Sequence, residues 1–206
     1  KNNILKAKNI FNIMHSNISL LTNNRLLSRV LLVIEKIITF SMTAYMANKL
    51  SYSDIGFWSQ ALFGATIFTS LCGFNIANGL IAIIPRINSF KFKFELIFKS
   101  GLFLLISGVC ACFVLLIFRD FTSNILFNNI LNLRIFMVIL TIGFAEMILE
   151  FVLYSFRSVK NFKFANYLLS LRILPRIIVF FGIYKNDVNL MLYLYSFSYV
   201  FSCLII

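Results

Sequence analysis

The sequence is poor in charged side chains, in proline and in histidine. Asp, Glu, Lys and Arg make up 13% of its 206 residues, against about 25% in typical soluble proteins. It has two prolines and one histidine, and its mean hydropathy is +0.90. This composition argues against a water-soluble domain.

The sequence also lacks the motifs of common metal sites and enzymes. Its four cysteines lie inside apolar runs, with no CxxC pair and no histidine nearby, so they are better explained as small buried hydrophobic residues than as metal ligands. No HExxH, P-loop, GxSxG or DxD pattern occurs. We therefore predict no catalytic residue, no cofactor and no metal.

Long uncharged apolar runs are what the sequence has instead. One of them extends from Ile55 to Pro85 without a formal charge, and about 20 apolar residues suffice to cross a bilayer as a helix. Tyr52, Phe57 and Trp58 stand at its start, where amphipathic rings favour the headgroup boundary. This stretch is predicted to span a membrane.

The apolar runs together predict an all-α integral membrane protein, a bundle of six transmembrane helices. Residues 1–24 are predicted to be a cytoplasmic segment, and their apolar side chains recur at spacings of three and four, as in an interfacial helix. Residues 25–206 form the six-helix lobe, with spans at about 30–47, 57–84, 101–118, 135–156, 164–184 and 189–206. The last run reaches the end of the sequence, so further chain is expected beyond it.

The basic residues predict orientation rather than nucleic-acid binding. The net charge is +12, but the lysines and arginines lie in short clusters between apolar runs, which leave no soluble surface for DNA or RNA. Twelve of them fall in the N-terminal segment and alternate loops, against four on the other side. Basic loops stay in the cytoplasm, which places the N-terminus there.

Six ionisable side chains remain inside the predicted spans. Each would cost roughly 2.5 to 3.5 kcal/mol if it faced lipid at the midplane, so they are expected to face protein or water. They are Glu35, Lys36, Glu146, Glu150, Arg172 and Arg176.

Two of these pairs have the four-residue spacing that puts side chains on one helix face. Glu146 and Glu150 form one pair and Arg172 and Arg176 the other, on neighbouring antiparallel spans. One interpretation is a static ion pair, of Glu146 with Arg172 or of Glu150 with a base at the cytoplasmic side. The other is that the arginines line an aqueous cavity for an anion, beside the helix-kinking Pro175.

The second span contains a polar interruption, GFNIANG, with Asn75 and Asn78. Glycine weakens a helix and asparagine needs a hydrogen-bond partner in lipid, so an irregular segment lining a cavity is one interpretation. Contact between helices through small and polar residues is the other.

With this topology, the sequence resembles the polysaccharide and O-antigen flippases of the multidrug/oligosaccharidyl-lipid/polysaccharide superfamily. The resemblance covers residues 24–206. It depends on Arg25 and Arg29 before the first span, the turn SYSDIGFWSQ, the long second span ending at Arg86, and the basic loop SFRSVKNFKFANY.

The resemblance implies one lobe of a two-lobe transporter in the bacterial inner membrane. The second six-helix lobe is expected in a C-terminal part of the chain beyond residue 206, and membrane lipids surround both lobes. The implied substrate is a polyprenyl-diphosphate-linked oligosaccharide, an O-antigen or capsule repeat unit, moved to the outer leaflet by alternating access. Because guanidinium groups hold phosphate oxygens with forked hydrogen bonds, Arg172, Arg176 and Lys36 are the expected substrate-binding residues.

Two other functions fit the same residues. Other members of this superfamily are cation-coupled multidrug exporters, and Glu35, Glu146 and Glu150 are the carboxylates such a mechanism would use. A membrane-embedded glycan polymerase or ligase is the third possibility, although its polar external loop is not evident in the short loops here. A purely structural membrane protein would have little need for six charged groups within its spans.

Overall fold

The computed structural model describes the backbone of residues 2–128, 131–184 and 187–205. Side chains are described from Asn24 onward within those ranges, apart from residues 181, 182 and 184. In this part of the chain every regular element is a helix. The α-helices are α1 (Asn2–Lys49), α2 (Tyr52–Gly73), α3 (Ile76–Ile83), α4 (Phe90–Ile117), α5 (Arg119–Phe127), α6 (Leu133–Ser158), α7 (Phe162–Tyr184) and α8 (Val188–Leu204), with a 3-10 turn at Ile84–Arg86.

Four of the helical stretches are long and apolar enough to cross a membrane. They are Asn24–Lys49 within α1, and α2, α4 and α6, each with at least 22 residues. Large apolar side chains cover their outer surfaces, including Phe40, Phe63 and Phe98, which are all more than half exposed. The prediction of an all-α, multi-pass membrane protein is therefore confirmed.

The described residues form eight α-helices where six were predicted. One additional helix is α3, because the predicted second span is broken into two helices. The other is α5, a short helix in the stretch predicted to be a polar loop. α4 also begins at Phe90, before the predicted span that starts at 101. In this additional part of the helix, Lys99 and Glu95 form an ion pair four residues apart.

The break between α2 and α3 lies at Phe74 and Asn75. Both residues adopt the left-handed helical region, with φ of 45° and 55°, which costs a non-glycine residue roughly 1–2 kcal/mol. Two such residues in succession end the hydrogen-bond ladder of α2 and turn the chain into α3. The irregular backbone predicted for GFNIANG is therefore confined to Phe74 and Asn75, whereas Asn78 and Gly79 lie inside α3.

The helix α1 is continuous through the predicted boundary between an interfacial segment and the first span. The apolar face proposed for residues 4–24 depends on side chains that, before Asn24, lie outside the described residues. From Asn24 onward α1 packs along α7, where the Asn166 amide donates a hydrogen bond of 2.8 Å to the Asn24 carbonyl. This pairing places one face of α1 against the arginines of α7.

The central helix of the bundle is α6, which packs against α2, α3, α4, α7 and α8. It approaches α2 closely at Gly143, where a Cβ would come within 2.9 Å of the Ala65 carbonyl oxygen. The Thr69 hydroxyl donates a hydrogen bond to the Gly143 carbonyl across the same contact. Glycine is required here because the two backbones nearly touch.

Pro175 lies inside α7 and leaves the Leu171 carbonyl without a helical partner, since proline has no N–H to donate. The Ser202 hydroxyl of α8 is 3.3 Å from that carbonyl oxygen and 2.8 Å from the Ser198 carbonyl oxygen of its own helix, so its one proton is shared between the two acceptors. Ser202 is fully buried. The neighbouring helix therefore places a shared donor at the carbonyl that the proline leaves free.

Candidate functional site

Five of the six charged residues predicted within the spans meet in one cluster. Glu35 comes from α1, Glu146 and Glu150 from α6, and Arg172 and Arg176 from α7. We call these five residues the charge cluster. The four-residue spacing explains the geometry, because it aligns each pair on the helix face that is turned toward the neighbouring helix.

Arg172 is the hub of the charge cluster. Its Nη2 is 3.3 Å from one carboxylate oxygen of Glu146 and 3.3 Å from one of Glu150, and its Nε is 3.6 Å from Glu35. Arg176 is paired more closely, with its Nη1 2.6 Å from the Glu35 carboxylate. Glu150 thus faces Arg172 and not a base at the end of the helix.

The charge cluster contains two guanidinium groups and three carboxylates, so it carries one net negative charge when all are ionised. Most of it is shielded: the side chains of Glu35, Arg176 and Arg172 are 5%, 13% and 18% exposed. Glu150 is the most accessible member at 33%. A molecule that enters the charge cluster from outside would therefore meet Glu150 first.

One polar atom of the cluster lacks a hydrogen bond. Arg172 Nε is buried and has no hydrogen-bond partner among the described residues, because its separation of 3.6 Å from Glu35 exceeds hydrogen-bond length. A buried donor without an acceptor is costly by about 1–3 kcal/mol. Arg172 therefore retains capacity for a further anionic or polar acceptor.

A polar cavity of 390 Å³ lies beside the charge cluster, among α2, α3, α4 and α6. Glu150 lines it together with the two asparagines at the helix break, and it is the charged residue of the described lining. The other polar groups of the lining belong to α2 and α6. The polar lining residues are Thr69, Ser70, Asn75, Asn78, Glu150 and Tyr154.

The structure brings the asparagines to this cavity and not to the arginines. The Asn78 amide donates a hydrogen bond to the Asn75 side-chain oxygen, and both side chains are exposed. Glu150 is the link between the two groups, since it lines the cavity and pairs with Arg172.

Lys36 is placed apart from the cluster. It follows Glu35 on α1, so its side chain projects about 100° further around the helix, and it is exposed. The structure does not bring Lys36 to the two arginines.

Comparison of the chain with protein-family models, with curated proteins and with solved structures finds no match.

Sequence reasoning missed the residues that complete the polar cavity. Tyr154 and Met147 line it alongside Glu150, and their spacing of three and four residues places all three on one face of α6. That spacing was available in the sequence. Thr69 and Ser70 carry no comparable signal, because α2 is rich in small and hydroxyl side chains on several faces.

Proposed function

We propose that this chain is a transporter lobe that moves a polyprenyl-diphosphate-linked oligosaccharide from the cytoplasmic to the outer leaflet by alternating access. The N-terminus lies in the cytoplasm of a bacterium and the helices lie in its inner membrane. The family resemblance suggests the substrate. The observation that carries the proposal is the buried charge cluster, in which Arg172 is paired with Glu150, a residue that also lines a polar cavity.

A purely structural role is a weaker explanation of the charge cluster. Charged residues within membrane helices are rare and usually mark a substrate or ion pathway. Replacing a buried ion pair by well-packed apolar residues is often neutral or stabilising. Five charged side chains gathered from three helices therefore indicate a function that apolar residues could not perform.

The chemistry of the proposed binding step is an exchange of anions at Arg172. A diphosphate entering the polar cavity first meets Glu150, the most exposed member of the cluster. Its oxygens can then replace the Glu150 carboxylate at Arg172 Nη2, provided that this carboxylate takes up a proton or a cation from the cavity as it leaves, because the cluster already carries one net negative charge. A second phosphate oxygen on the same edge of the guanidinium would accept from Nε, which gives the forked contact that guanidinium groups make with phosphate. Arg176 keeps its pairing with Glu35 and holds α1 against α7.

The experiment uses cells that lack the intact gene and are complemented by wild type or by the double variant Arg172→Gln/Arg176→Gln. We expect the variant to abolish surface glycan and to trap lipid-linked precursor inside the cell. The matched control is Lys36→Gln, which removes an exposed charge outside the cluster and should export normally.

A second variant separates transport from folding. Arg172→Lys/Arg176→Lys keeps the charge balance of the cluster but loses the fork of the guanidinium, so membrane insertion should be normal and export strongly reduced. Full export by Arg172→Gln/Arg176→Gln would contradict the proposal. Normal surface glycan in the strain that lacks the gene would contradict it too.

A cation-coupled multidrug exporter is the second candidate, and one observation favours it. The charged residue of the polar cavity is the carboxylate Glu150, and neither arginine lines the cavity: Arg176 is paired with Glu35, and Arg172 pairs with Glu150 from behind the lining. A cavity of this kind would admit a cation. Normal glycan in the deletion strain, with drug sensitivity that Glu150→Gln reproduces, would favour this function.

A further inference from the structure

Arg157 is a half-buried guanidinium that has no carboxylate partner. It lies in the last turn of α6, and its side chain is partly covered. All acidic residues of the sequence fall within the described part of the chain, and their ion pairs are with Lys99, Arg119, Arg172 and Arg176. The other arginines without such a pair are exposed. Arg157 is therefore the one arginine of the described residues that is both shielded and unpaired.

Two contacts hold the Arg157 side chain, and neither neutralises its charge. Nη2 is 3.4 Å from the Ser28 hydroxyl oxygen of α1 and donates to it, which is a long hydrogen bond for an N–H donor. The guanidinium carbon is 5.6 Å from the centre of the Tyr154 ring. A ring face attracts a cation but leaves the hydrogen bonds in the guanidinium plane unused. Most N–H groups of Arg157 are therefore open to an anion.

A basic residue at the end of a membrane helix is common, because positive charge complements the C-terminal carbonyls and stays in the cytoplasm. Such a residue normally extends into water, as the exposed Arg29 of α1 does. Arg157 differs because α1 covers it at Ser28, which is itself buried. Since burial of a charge without a counter-ion is costly, an anionic ligand would supply what this position lacks.

The position of Arg157 connects it to the candidate site. Glu150, Tyr154 and Arg157 are spaced by four and three residues, so their side chains project from one face of α6. Glu150 and Tyr154 line the polar cavity, and the Tyr154 ring also carries the Arg157 guanidinium. The distance from Arg157 to Glu150 along the helix axis is about 10 Å. Arg157 therefore stands two turns outside the charge cluster, on the same helix face.

The polar cavity needs such a cation if it is to admit an anion. Its charged lining residue is the Glu150 carboxylate, and the charge cluster behind it carries a net negative charge, so both repel an approaching diphosphate. In the proposed orientation the C-terminal end of α6 lies at the cytoplasmic surface. Arg157 is then at the depth of the headgroups, where a lipid diphosphate of that leaflet lies with its chain still in the bilayer.

We infer that Arg157 is an entrance site, which binds the diphosphate of the transported lipid before its oxygens pass Tyr154 and reach Arg172. The inference rests on the proposed function and adds to it a binding residue outside the charge cluster. The open edge of the Arg157 guanidinium makes the forked contact with phosphate oxygens, while the Tyr154 ring fixes its plane. The anion then meets two guanidinium groups in succession along one path.

The test is photolabelling of the intact protein in phosphatidylcholine nanodiscs with a short polyprenyl diphosphate that carries a diazirine on its first isoprene unit. Because that unit adjoins the diphosphate, we expect saturable label close to Arg157, in the segments 25–32 and 154–162. Arg157→Gln should raise the Kd obtained from the saturation curve roughly tenfold or more, the effect of losing a hydrogen bond between charged groups.

Two control variants separate binding from charge and from packing. Arg134→Gln makes the same charge change at the other end of α6, where the arginine is exposed and about 34 Å from Arg157, and it should leave the Kd unchanged. Ser28→Ala removes the hydrogen bond that joins Arg157 to α1 but keeps the guanidinium, so its Kd should be close to that of wild type.

Two further variants test the order of the two sites. Arg157→Lys keeps the charge but loses the fork, so its Kd should lie between those of wild type and Arg157→Gln. Arg172→Gln/Arg176→Gln should still be labelled in the same segments, because it leaves the entrance site intact.

Unchanged binding by Arg157→Gln, or an equal loss of binding by Ser28→Ala, would overturn the inference. So would competition by phosphatidylglycerol as effective as that by unlabelled polyprenyl diphosphate, because the site would then hold the phosphate of ordinary lipid. Loss of the label from Arg172→Gln/Arg176→Gln would also overturn it, since the entrance would not be a separate site.

Failure of the inference and failure of the proposed function are distinguishable. If surface glycan depends on the protein but Arg157→Gln binds the diphosphate and exports glycan as wild type does, the function stands and the entrance site is wrong. If Arg157→Gln binds the diphosphate weakly but cells that lack the gene make normal surface glycan, the diphosphate site stands and the proposed function fails.

Discussion

Replacing Arg176 by glutamine measures how strongly the charge cluster holds α1 to α7. Arg176 Nη1 lies 2.6 Å from the Glu35 carboxylate, whose side chain is 5% exposed. Without Arg176, Glu35 retains only Arg172 Nε at 3.6 Å, and the cluster has one positive charge against three negative ones. At an effective dielectric constant near 20, the lost attraction is about 6 kcal/mol before dehydration of the ions is subtracted.

Measured losses for one partner of a buried pair are about 3–5 kcal/mol. For a chain of this size that corresponds to a fall of roughly 10 °C in Tm. The assay is thermal unfolding of the intact protein in detergent micelles, followed by circular dichroism. Glu35→Gln is the matched change, and we expect a smaller loss because it leaves two arginines facing two carboxylates.

The double variant Glu35→Gln/Arg176→Gln completes the cycle. Since each single change removes the same contact, its loss should be smaller than the sum of the two by about 1–3 kcal/mol. Additive losses, or an Arg176→Gln protein as stable as wild type, would refute the view that this pair holds the helices together.

Two further predictions concern helix packing. Ser202→Ala should cost about 1 kcal/mol because it removes the donor shared by the Leu171 and Ser198 carbonyls. Pro175→Ala should reduce that cost, because it restores the helical N–H to the Leu171 carbonyl. Equal losses in both backgrounds, measured by thermal unfolding, would contradict this. Gly143→Ala should cost about 1–3 kcal/mol because the added methyl group forces α2 away from α6. The control is Gly73→Ala, whose methyl group would meet nothing within 4 Å and should leave Tm unchanged within error. An unchanged Tm for Gly143→Ala would show that the helices can separate freely.

Hydropathy predicted the class of this protein, but it could not predict where each helix ends. A membrane span is defined by uncharged length, and a helix by its backbone hydrogen bonds. α4 therefore begins at Phe90, among lysines that hydropathy excludes. The polar motif GFNIANG did predict a break, which falls at Phe74 and Asn75, but Asn78 and Gly79 are helical in α3 although both residue types are poor in a helix interior.

The candidate site was predictable where it depends on spacing along one helix. The spacing of Glu146 and Glu150, and of Arg172 and Arg176, was sufficient to predict two opposed faces. The partner of Glu35 was not predictable in the same way. Its contact with Arg176 depends on α1 packing against α7, and sequence periodicity gives the face of a helix but not which helix will cover it.

The charge cluster also imposes an order on biosynthesis. Glu35 is synthesised roughly 140 residues before Arg176, an interval of about ten seconds at the usual 5–20 residues per second. During that time the carboxylate of α1 has neither guanidinium partner of the charge cluster, and its exposure to lipid would cost roughly 2.5–3.5 kcal/mol. The final packing of α1 in the bundle is therefore completed only after α7 has been made.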